Sequence, residues 1–180
     1  MLETVAAAAL AITQAAASQT PPAPPPTPPQ SPACTGEGHA QFDFWVGEWE
    51  VTPNGGEQLI AHSRIERLYN GCAVRENWMP LNGRDGGSLN SYDAATGRWH
   101  QTWIGSSPGR VEFAGGWTGE AMVLTGNWPS PAAAHQLVRM TYTLTPEGHV
   151  RQHGEASLDH GASWQPSFDF IYRRKDTANP

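Results

Sequence analysis

The sequence is poor in basic residues, and this scarcity excludes one class of partner. It has 11 Lys and Arg against 17 Asp and Glu in 180 residues, which gives a formal net charge of −6. Lysine occurs once, and the ten arginines are scattered rather than grouped into the basic stripe that a phosphate backbone requires. We therefore expect no nucleic acid among the partners of this protein.

Long apolar runs are also scarce. Residues 2–17 are almost entirely Ala, Val, Leu, Ile and Thr, but this run is too short to span a bilayer. Its length is typical of the apolar region of a signal peptide, and three alanines at 15–17 offer a small-residue cleavage site. Residues 1–17 are thus interpreted as a signal peptide, with an Ala-rich helix of the mature protein as the alternative. No membrane span is expected in the mature chain.

Proline is concentrated in one segment of the chain. Half of the 16 prolines lie between Pro21 and Pro32, in a stretch with no apolar residue larger than Ala. Residues 18–33 are therefore expected to be a disordered, Pro-rich linker with polyproline-II character. The remaining residues, 34–180, number about 147, which is enough for a single domain.

Only two cysteines are present, Cys34 and Cys72. In an exported protein this even count predicts a disulfide, and closing a loop of about 39 residues stabilises a fold by ~4 kcal/mol in the chain-entropy model. Two free thiols in a cytosolic protein are the alternative. The signal peptide and the disulfide together predict a periplasmic or secreted location.

Helical periodicity is absent apart from a turn or two around residues 38–42, whereas short β-rich runs alternate with Gly, Pro, Asn and Asp. Ten strands are predicted, at residues 42–52, 58–69, 72–79, 87–92, 98–104, 110–117, 121–128, 137–144, 149–158 and 164–173. Consecutive strands with short connections favour an all-β, antiparallel up-and-down barrel, because closure removes exposed sheet edges. A β-sandwich of two sheets is the alternative.

All eight tryptophans lie in the folded part, and polar residues share their predicted strand faces. This mixture is typical of a ligand-lined interior, in which a tryptophan stacks on a ring or holds a cation. The first hypothesis is therefore that the barrel binds a small apolar or aromatic molecule. The candidate anchors are Glu76, Asn90, Gln101, Arg139 and Glu155, with Trp78 and Trp103 as walls. Each tryptophan taken singly also fits a role in the barrel core. The alternative for Asn90, Gln101 and Arg139 is that they face solvent, and the alternative for Glu155 is a solvent-facing charged row on an edge strand.

A second hypothesis is a small barrel enzyme, a lyase, isomerase or hydrolase, with Glu76 or Glu155 as general acid or base. A carboxyl group among tryptophans has a raised pKa, which suits proton transfer. Serine-hydrolase, dinucleotide and P-loop motifs are missing from the sequence. His149 and His153 would stand about 13 Å apart on one strand face, so no metal site is predicted. A surface interaction module is the third hypothesis.

Residues 157–164, Ser-Leu-Asp-His-Gly-Ala-Ser-Trp, resemble the Asp-box of sialidase-type propellers. In those proteins the aspartate caps a hairpin turn, the glycine is left-handed and the tryptophan packs beneath, once in each blade. This chain has a single copy and no internal repeat, so the segment is interpreted as a hairpin staple.

Residues 42–51, Phe-Asp-Phe-Trp-Val-Gly-Glu-Trp-Glu-Val, resemble a family of secreted bacterial proteins of unknown function. The resemblance continues through Gly71-Cys72, Glu76-Asn77-Trp78, Ser91-Tyr92-Asp93, Thr-Gly-Arg-Trp-His-Gln-Thr-Trp at 96–103 and Phe168-Asp169. It covers nearly the whole folded part, implies its boundaries and supplies no substrate.

More remotely, Gly47-Glu48-Trp49 is similar to the Gly-x-Trp signature of lipocalin-like barrels. This resemblance implies that Trp49 plugs the closed end of the barrel and that Gly47 permits its close packing. Ten strands are similar to the nitrobindin and fatty-acid-binding branch, and a nitrobindin-like protein would bind haem through a C-terminal histidine. The last predicted strand has no histidine, which leaves His153 as the candidate ligand, and no cofactor is predicted.

Overall fold

The structure is a computed structural model that describes residues 34–131 and 133–175. Its strands are β1 (Gly47–Pro53), β2 (Ala61–Leu68), β3 (Ala73–Pro80), β4 (Gly86–Asp93), β5 (Arg98–Gly105), β6 (Val111–Trp117), β7 (Met122–Asn127), β8 (Leu137–Leu144), β9 (Val150–Ser157) and β10 (Gln165–Arg174). One short helix, α1 (Glu37–Ala40), precedes them, with 3₁₀ turns at Asp43–Trp45 and Tyr69–Gly71. No helix in these two ranges is long and apolar enough to cross a membrane. The predicted signal peptide (1–17) and linker (18–33) lie outside the described residues.

Each strand pairs with its neighbours in sequence, and every pairing is antiparallel. The sheet closes on itself because β1 pairs with β10, with Trp49 opposite Arg174 and Pro53 opposite Phe170. The fold is therefore an all-β, up-and-down barrel of ten strands, as the sequence predicted, and the sandwich alternative is wrong. Nine of the ten predicted strands match the observed ones to within about three residues at each end.

The first predicted strand, 42–52, is wrong in its N-terminal half, because β1 begins only at Gly47. Residues 43–45 instead form a 3₁₀ turn. A strand would direct Phe42 and Trp45 to opposite faces, whereas a 3₁₀ turn aligns side chains three positions apart. Both rings are fully buried and stack on each other with centres 4.9 Å apart. Burial of two large rings on one side therefore overrides the strand pattern here.

These two rings close one end of the barrel, and we call residues 34–46 the plug. The Phe42 ring lies 5.1 Å from that of Tyr142, and the Trp45 ring lies 6.0 Å from that of Tyr172. A disulfide joins Cys34 to Cys72 at the start of β3, which confirms the predicted bridge. The opposite end of the barrel carries the loops that follow β1, β3, β5, β7 and β9.

Trp49 lies next to the plug, whereas the Gly-x-Trp resemblance implied that Trp49 itself closes this end of the barrel. Its indole is buried, its Nε1 donates to the Trp45 carbonyl oxygen at 2.8 Å, and the Arg174 guanidinium lies 4.5 Å above its ring. A Cβ atom at Gly47 would come within 2.6 Å of the Arg174 guanidinium, and the Gly47 φ of 153° also disfavours a side chain. Gly47 thus permits the cation–π contact that covers Trp49.

The turn between β9 and β10 is the predicted hairpin staple. The Asp159 carboxylate accepts hydrogen bonds from the Ser163 backbone N–H at 2.9 Å, the Ser163 hydroxyl at 2.6 Å and the Ser157 hydroxyl at 2.7 Å. These hydrogen bonds lower the pKa of Asp159 to about 2, and the bond from the Ser163 hydroxyl has the largest effect. Gly161 takes a φ of 90°, which a β-carbon disfavours. The staple holds the turn that joins β9 to β10.

The disulfide generates a stability prediction. Paired Cys34→Ala and Cys72→Ala replacement, or reduction, is expected to lower the free energy of unfolding by ~4 kcal/mol, because the bridge constrains a loop with a sequence separation of 38. Urea denaturation followed by circular dichroism, with and without dithiothreitol, measures the difference. The double variant serves as the control and should not respond to dithiothreitol. An unchanged urea midpoint on reduction of the native chain would refute the stabilising role.

Candidate functional site

The barrel encloses a cavity of about 250 Å³ on the side away from the plug. Its wall is aromatic and consists of Trp78, Trp103, Phe113, Trp128, Phe168 and Phe170. Trp78 stacks on Phe170 with ring centres 5.9 Å apart, and Trp103 lies 6.2 Å from Trp128. These residues come from the ends of β3, β5 and β7 and the first halves of β6 and β10, so the wall leads from the loops of the open end towards the middle of the barrel.

Glycines on the neighbouring strands make room for this wall. A Cβ atom at Gly154 would lie 2.3 Å from the Phe168 ring, and one at Gly86 would lie 2.6 Å from the Trp103 ring. The two rings therefore rest against bare backbone instead of projecting into the centre of the barrel. Close approach of ring and backbone is what leaves the cavity empty of side chains.

The floor of the cavity is polar. Seven side chains form a closed ring of hydrogen bonds, in the order Glu76, Ser88, Asn90, Gln101, Tyr142, Gln152 and Tyr172. All seven are at most 8 % exposed. We call this set the polar ring. Buried polar groups are stable only when they are hydrogen-bonded, and the ring satisfies them mutually.

One half of the polar ring lies on β3, β4 and β5. The Ser88 hydroxyl donates to Glu76 Oε2 at 3.1 Å, and Asn90 Nδ2 donates to the Ser88 hydroxyl oxygen at 3.1 Å. Gln101 Nε2 donates to Asn90 Oδ1 at 2.7 Å. Both hydrogen bonds that Gln101 makes within the described chain use Nε2, so its Oε1 is left as an acceptor for a ligand.

The other half joins two tyrosines through Gln152. The Tyr172 hydroxyl donates to Gln152 Oε1 at 2.7 Å and lies 3.5 Å from Glu76 Oε1. Gln152 Nε2 donates in turn to the Tyr142 hydroxyl oxygen at 2.9 Å. The hydrogen of Tyr142 is directed at the Met140 sulfur 3.6 Å away, a weak acceptor. Tyr142 therefore presents a hydroxyl donor that a ligand can take over.

Glu76 is the one charged side chain among the described residues that line the cavity. It lies between Val74 and Trp78 on the inner face of β3 and is 5 % exposed. Burial raises the pKa of its carboxyl to about 7, whereas hydrogen bonds from Ser88 and Ser63 and the nearby Tyr172 hydroxyl lower this pKa. Near neutral pH the carboxyl is thus divided between its acid and its anion.

Of the seven residues that the sequence singled out, the structure places four on the cavity: Glu76, Trp78, Gln101 and Trp103. Asn90 is fully buried behind them and holds Gln101 in place without lining the cavity. Tyr142, Gln152 and Tyr172 were missed by the sequence analysis. Their signal was available, because Gln152 alternates with the apolar Val150 and Tyr142 with Val138 and Met140 along the inner faces of β9 and β8.

Arg139 and Glu155 lie on the outer face of the barrel, as the solvent-facing alternative expected, and not among the inward anchors. Arg139 Nε and Nη2 bind Glu155 Oε2 at 2.9 and 2.8 Å. The guanidinium also lies 4.2 Å above the Trp164 ring. Water reaches this ion pair, whereas the cavity would have to accommodate both charges at a high desolvation cost. Glu155 is thereby removed from the candidate acids or bases in the cavity.

His153 lies beside Glu155 on the same outer face, opposite Asp169 of β10. No histidine is found among the described residues that line the cavity, and these residues therefore do not fit the histidine-bound haem of a nitrobindin-like protein. Within residues 34–131 and 133–175, no group of three or more His, Cys, Asp or Glu side chains is placed to hold a metal ion.

Glu76 generates a prediction about pH and stability. Its pKa of about 7 in the folded protein exceeds its ordinary value of 4.5, so the folded state binds the extra proton between these values. The contribution of protonated Glu76 to the free energy of unfolding is fully present below pH ~4.5 and is lost as the pH rises through about 7. The free energy of unfolding falls by ~3 kcal/mol in total over this range. Glu76→Gln, which stays neutral, should flatten this part of the profile.

Urea denaturation at intervals from pH 4.5 to pH 8 measures the effect. Glu155→Gln, on the outer face, is the matched control and should retain the slope of the native protein. Parallel profiles for the native protein and Glu76→Gln would show that Glu76 does not titrate in this range.

Comparison with known proteins assigns no family to the chain. No protein-family model matches the sequence, and no curated protein matches it either. The case for a function therefore depends on the cavity and its residues.

Proposed function

We propose that the protein binds a small apolar or aromatic molecule in the barrel cavity, with a polar end of the ligand against the polar ring. The observation that carries this proposal is that one cavity of about 250 Å³ combines an aromatic wall with a hydrogen-bonding floor. Ligand sites are typically concave and apolar with a few placed polar groups, at volumes of ~300–1,000 Å³. The cavity is slightly smaller than the lower limit of this range, which favours ligands of one or two rings.

The arrangement of the site supports a defined orientation of the ligand. Trp78 and Trp103 offer ring faces on which an aromatic group can stack, and such contacts contribute ~0.5–1.5 kcal/mol beyond burial. The hydroxyl of Tyr142 and the amide oxygen of Gln101 offer one donor and one acceptor at the floor. A ligand that lacks a polar group would leave the Tyr142 hydroxyl hydrogen with the Met140 sulfur as its acceptor.

We also propose that the protein works in the periplasm or outside the cell. The Cys34–Cys72 disulfide supports this location, because disulfides persist in oxidising compartments. The resemblance to secreted bacterial proteins of unknown function, and to lipocalin-like binders, supports the same proposal from the sequence.

Acid–base catalysis in the same cavity is the second candidate function. The specific observation in its favour is the Glu76 carboxyl, whose pKa of about 7 suits a general acid or base at neutral pH. Mass spectrometry of each bound compound after incubation with the protein separates turnover from binding.

Ligand binding should depend on the aromatic wall. Titration of the protein with a panel of one- and two-ring compounds, beginning with indole and naphthol, should quench tryptophan fluorescence. Trp103→Leu is expected to weaken the dissociation constants by roughly tenfold through lost stacking. Trp164→Leu, on the outer face under Arg139, is the matched control. Saturable binding that is equally tight in the Trp103→Leu variant would place the ligand elsewhere.

The glycine at 154 provides a second, steric prediction. In Gly154→Ala the new methyl group would meet the Phe168 ring at 2.3 Å and displace the ring into the cavity. Affinity for a two-ring compound should fall more steeply than affinity for a one-ring compound. Gly116→Ala is the matched control, because its nearest contact would be 3.9 Å away. Equal losses for both ligand sizes would contradict a cavity limited by Phe168.

A further inference from the structure

We propose that the cavity selects ligands in which a protonated amine is attached to an aromatic or apolar group, with Glu76 as the anionic partner. The inference rests on the proposed function and names its ligand class. It follows from the charges inside the cavity, from the rings beside Glu76 and from the acceptors at the floor.

The charges inside the cavity are one-sided. Glu76 lines the cavity, and no basic side chain of the described residues does so. A buried carboxylate without a partner is costly, and a ligand ammonium group would supply the missing charge. A carboxylate ligand, in contrast, would bring a second negative charge to a site without a cation and would force one of the two groups to take up a proton.

The rings beside Glu76 are placed to receive a cation. Trp78 is two residues from Glu76 on the same face of β3, and its ring lies 6.3 Å from that of Tyr172. The Tyr172 hydroxyl is itself 3.5 Å from Glu76 Oε1. An ammonium group at the carboxylate would therefore lie near the Trp78 ring and the Tyr172 hydroxyl, and aromatic ring faces attract cations.

The acceptors at the floor match the three N–H donors of an ammonium group. A carboxylate has about four acceptor sites, and the Ser63 and Ser88 hydroxyls use two of those on Glu76, because the Tyr172 hydroxyl donates its hydrogen to Gln152. The two remaining sites on Glu76 are left for the ligand, and Gln101 Oε1 is a third acceptor. A neutral alcohol would instead accept a hydrogen bond from the Tyr142 hydroxyl, so amines and alcohols bind to different groups of the polar ring.

The pH dependence follows from the groups that face Glu76. The titratable ones are Tyr172 on β10 and Tyr142 on β8, and burial raises the pKa of both hydroxyls, so they stay neutral. β2 and β4 contribute Ser63 and Ser88, which carry no charge. Because an ammonium ligand requires ionised Glu76, its affinity should rise about tenfold between pH 6 and pH 8.

Three probes of similar size test the inference: 2-phenylethylamine, 2-phenylethanol and 3-phenylpropionate. Tryptophan fluorescence and calorimetric titrations at pH 6 and pH 8 give the dissociation constants. At pH 8 the amine should bind at least tenfold more tightly than the alcohol, and the carboxylate should bind most weakly. Glu76→Gln should reduce amine affinity at least tenfold, abolish its pH dependence and lower amine affinity more than alcohol affinity, whereas Glu155→Gln should alter none of these values.

The outcomes separate this inference from the proposed function. Alcohol binding as tight as amine binding, or an amine affinity that survives Glu76→Gln, overturns the amine preference and leaves a cavity for neutral ligands. If the Glu76→Gln variant does not fold, the ratio of amine to alcohol affinity in the native protein decides the matter, and a ratio that is flat with pH overturns the inference. Binding of none of the three probes, nor of indole or naphthol, overturns the proposed function itself.

Discussion

The contact between the plug and two tyrosine rings is the interaction on which the rest of the site depends. Phe42 packs against Tyr142, and Trp45 packs against both Tyr142 and Tyr172. The plug therefore supports the two tyrosine rings at the closed end of the barrel. Their hydroxyls then face away from the plug and complete the polar ring. A disulfide holds the beginning of the plug, and the Arg67–Asp43 ion pair holds its middle. The plug thus determines the position of the two tyrosine hydroxyls in the polar ring.

The cavity wall shows how a barrel remains partly empty. Large aromatic side chains would ordinarily fill the interior, and dense packing would be more stable than a void. Here glycines at 86 and 154 let two of the rings lie against the backbone. These rings therefore line the cavity and do not fill it. The arrangement sacrifices some stability for space, as functional sites commonly do.

The strands were predictable because their signals are local. Glycines at the turns and apolar alternation within each strand locate nine of the ten strands, and the same alternation places Glu76 beside Trp78 inside the barrel. The plug was not predictable from these signals, because its 3₁₀ turn is stabilised by contacts with Tyr142 and Tyr172, about a hundred residues away. Arg139 and Glu155 fit either face in the sequence, because a polar side chain can line a cavity or face water. The buried Val138 and Met140, which flank Arg139 on β8, mark its outward direction.

The polar ring as a whole lies beyond local signals, since its closure joins Glu76 to Tyr172, which are 96 positions apart. Only the circular order of the strands brings these side chains together. An amide, a serine and a tyrosine at inward positions each look like isolated buried polar groups in the sequence. Their partnership becomes visible once the barrel is closed.

Closure of the barrel through its first and last strands also constrains how the chain folds. β1 finds its second partner only when β10 is available, with Trp49 opposite Arg174, so the sheet remains open until β10 has been made. Pairings between such distant residues form slowly, and unpaired strand edges attract other chains in the meantime. A chain that lacks β10 therefore exposes both an unpaired strand edge and a Trp49 ring without its Arg174 cover.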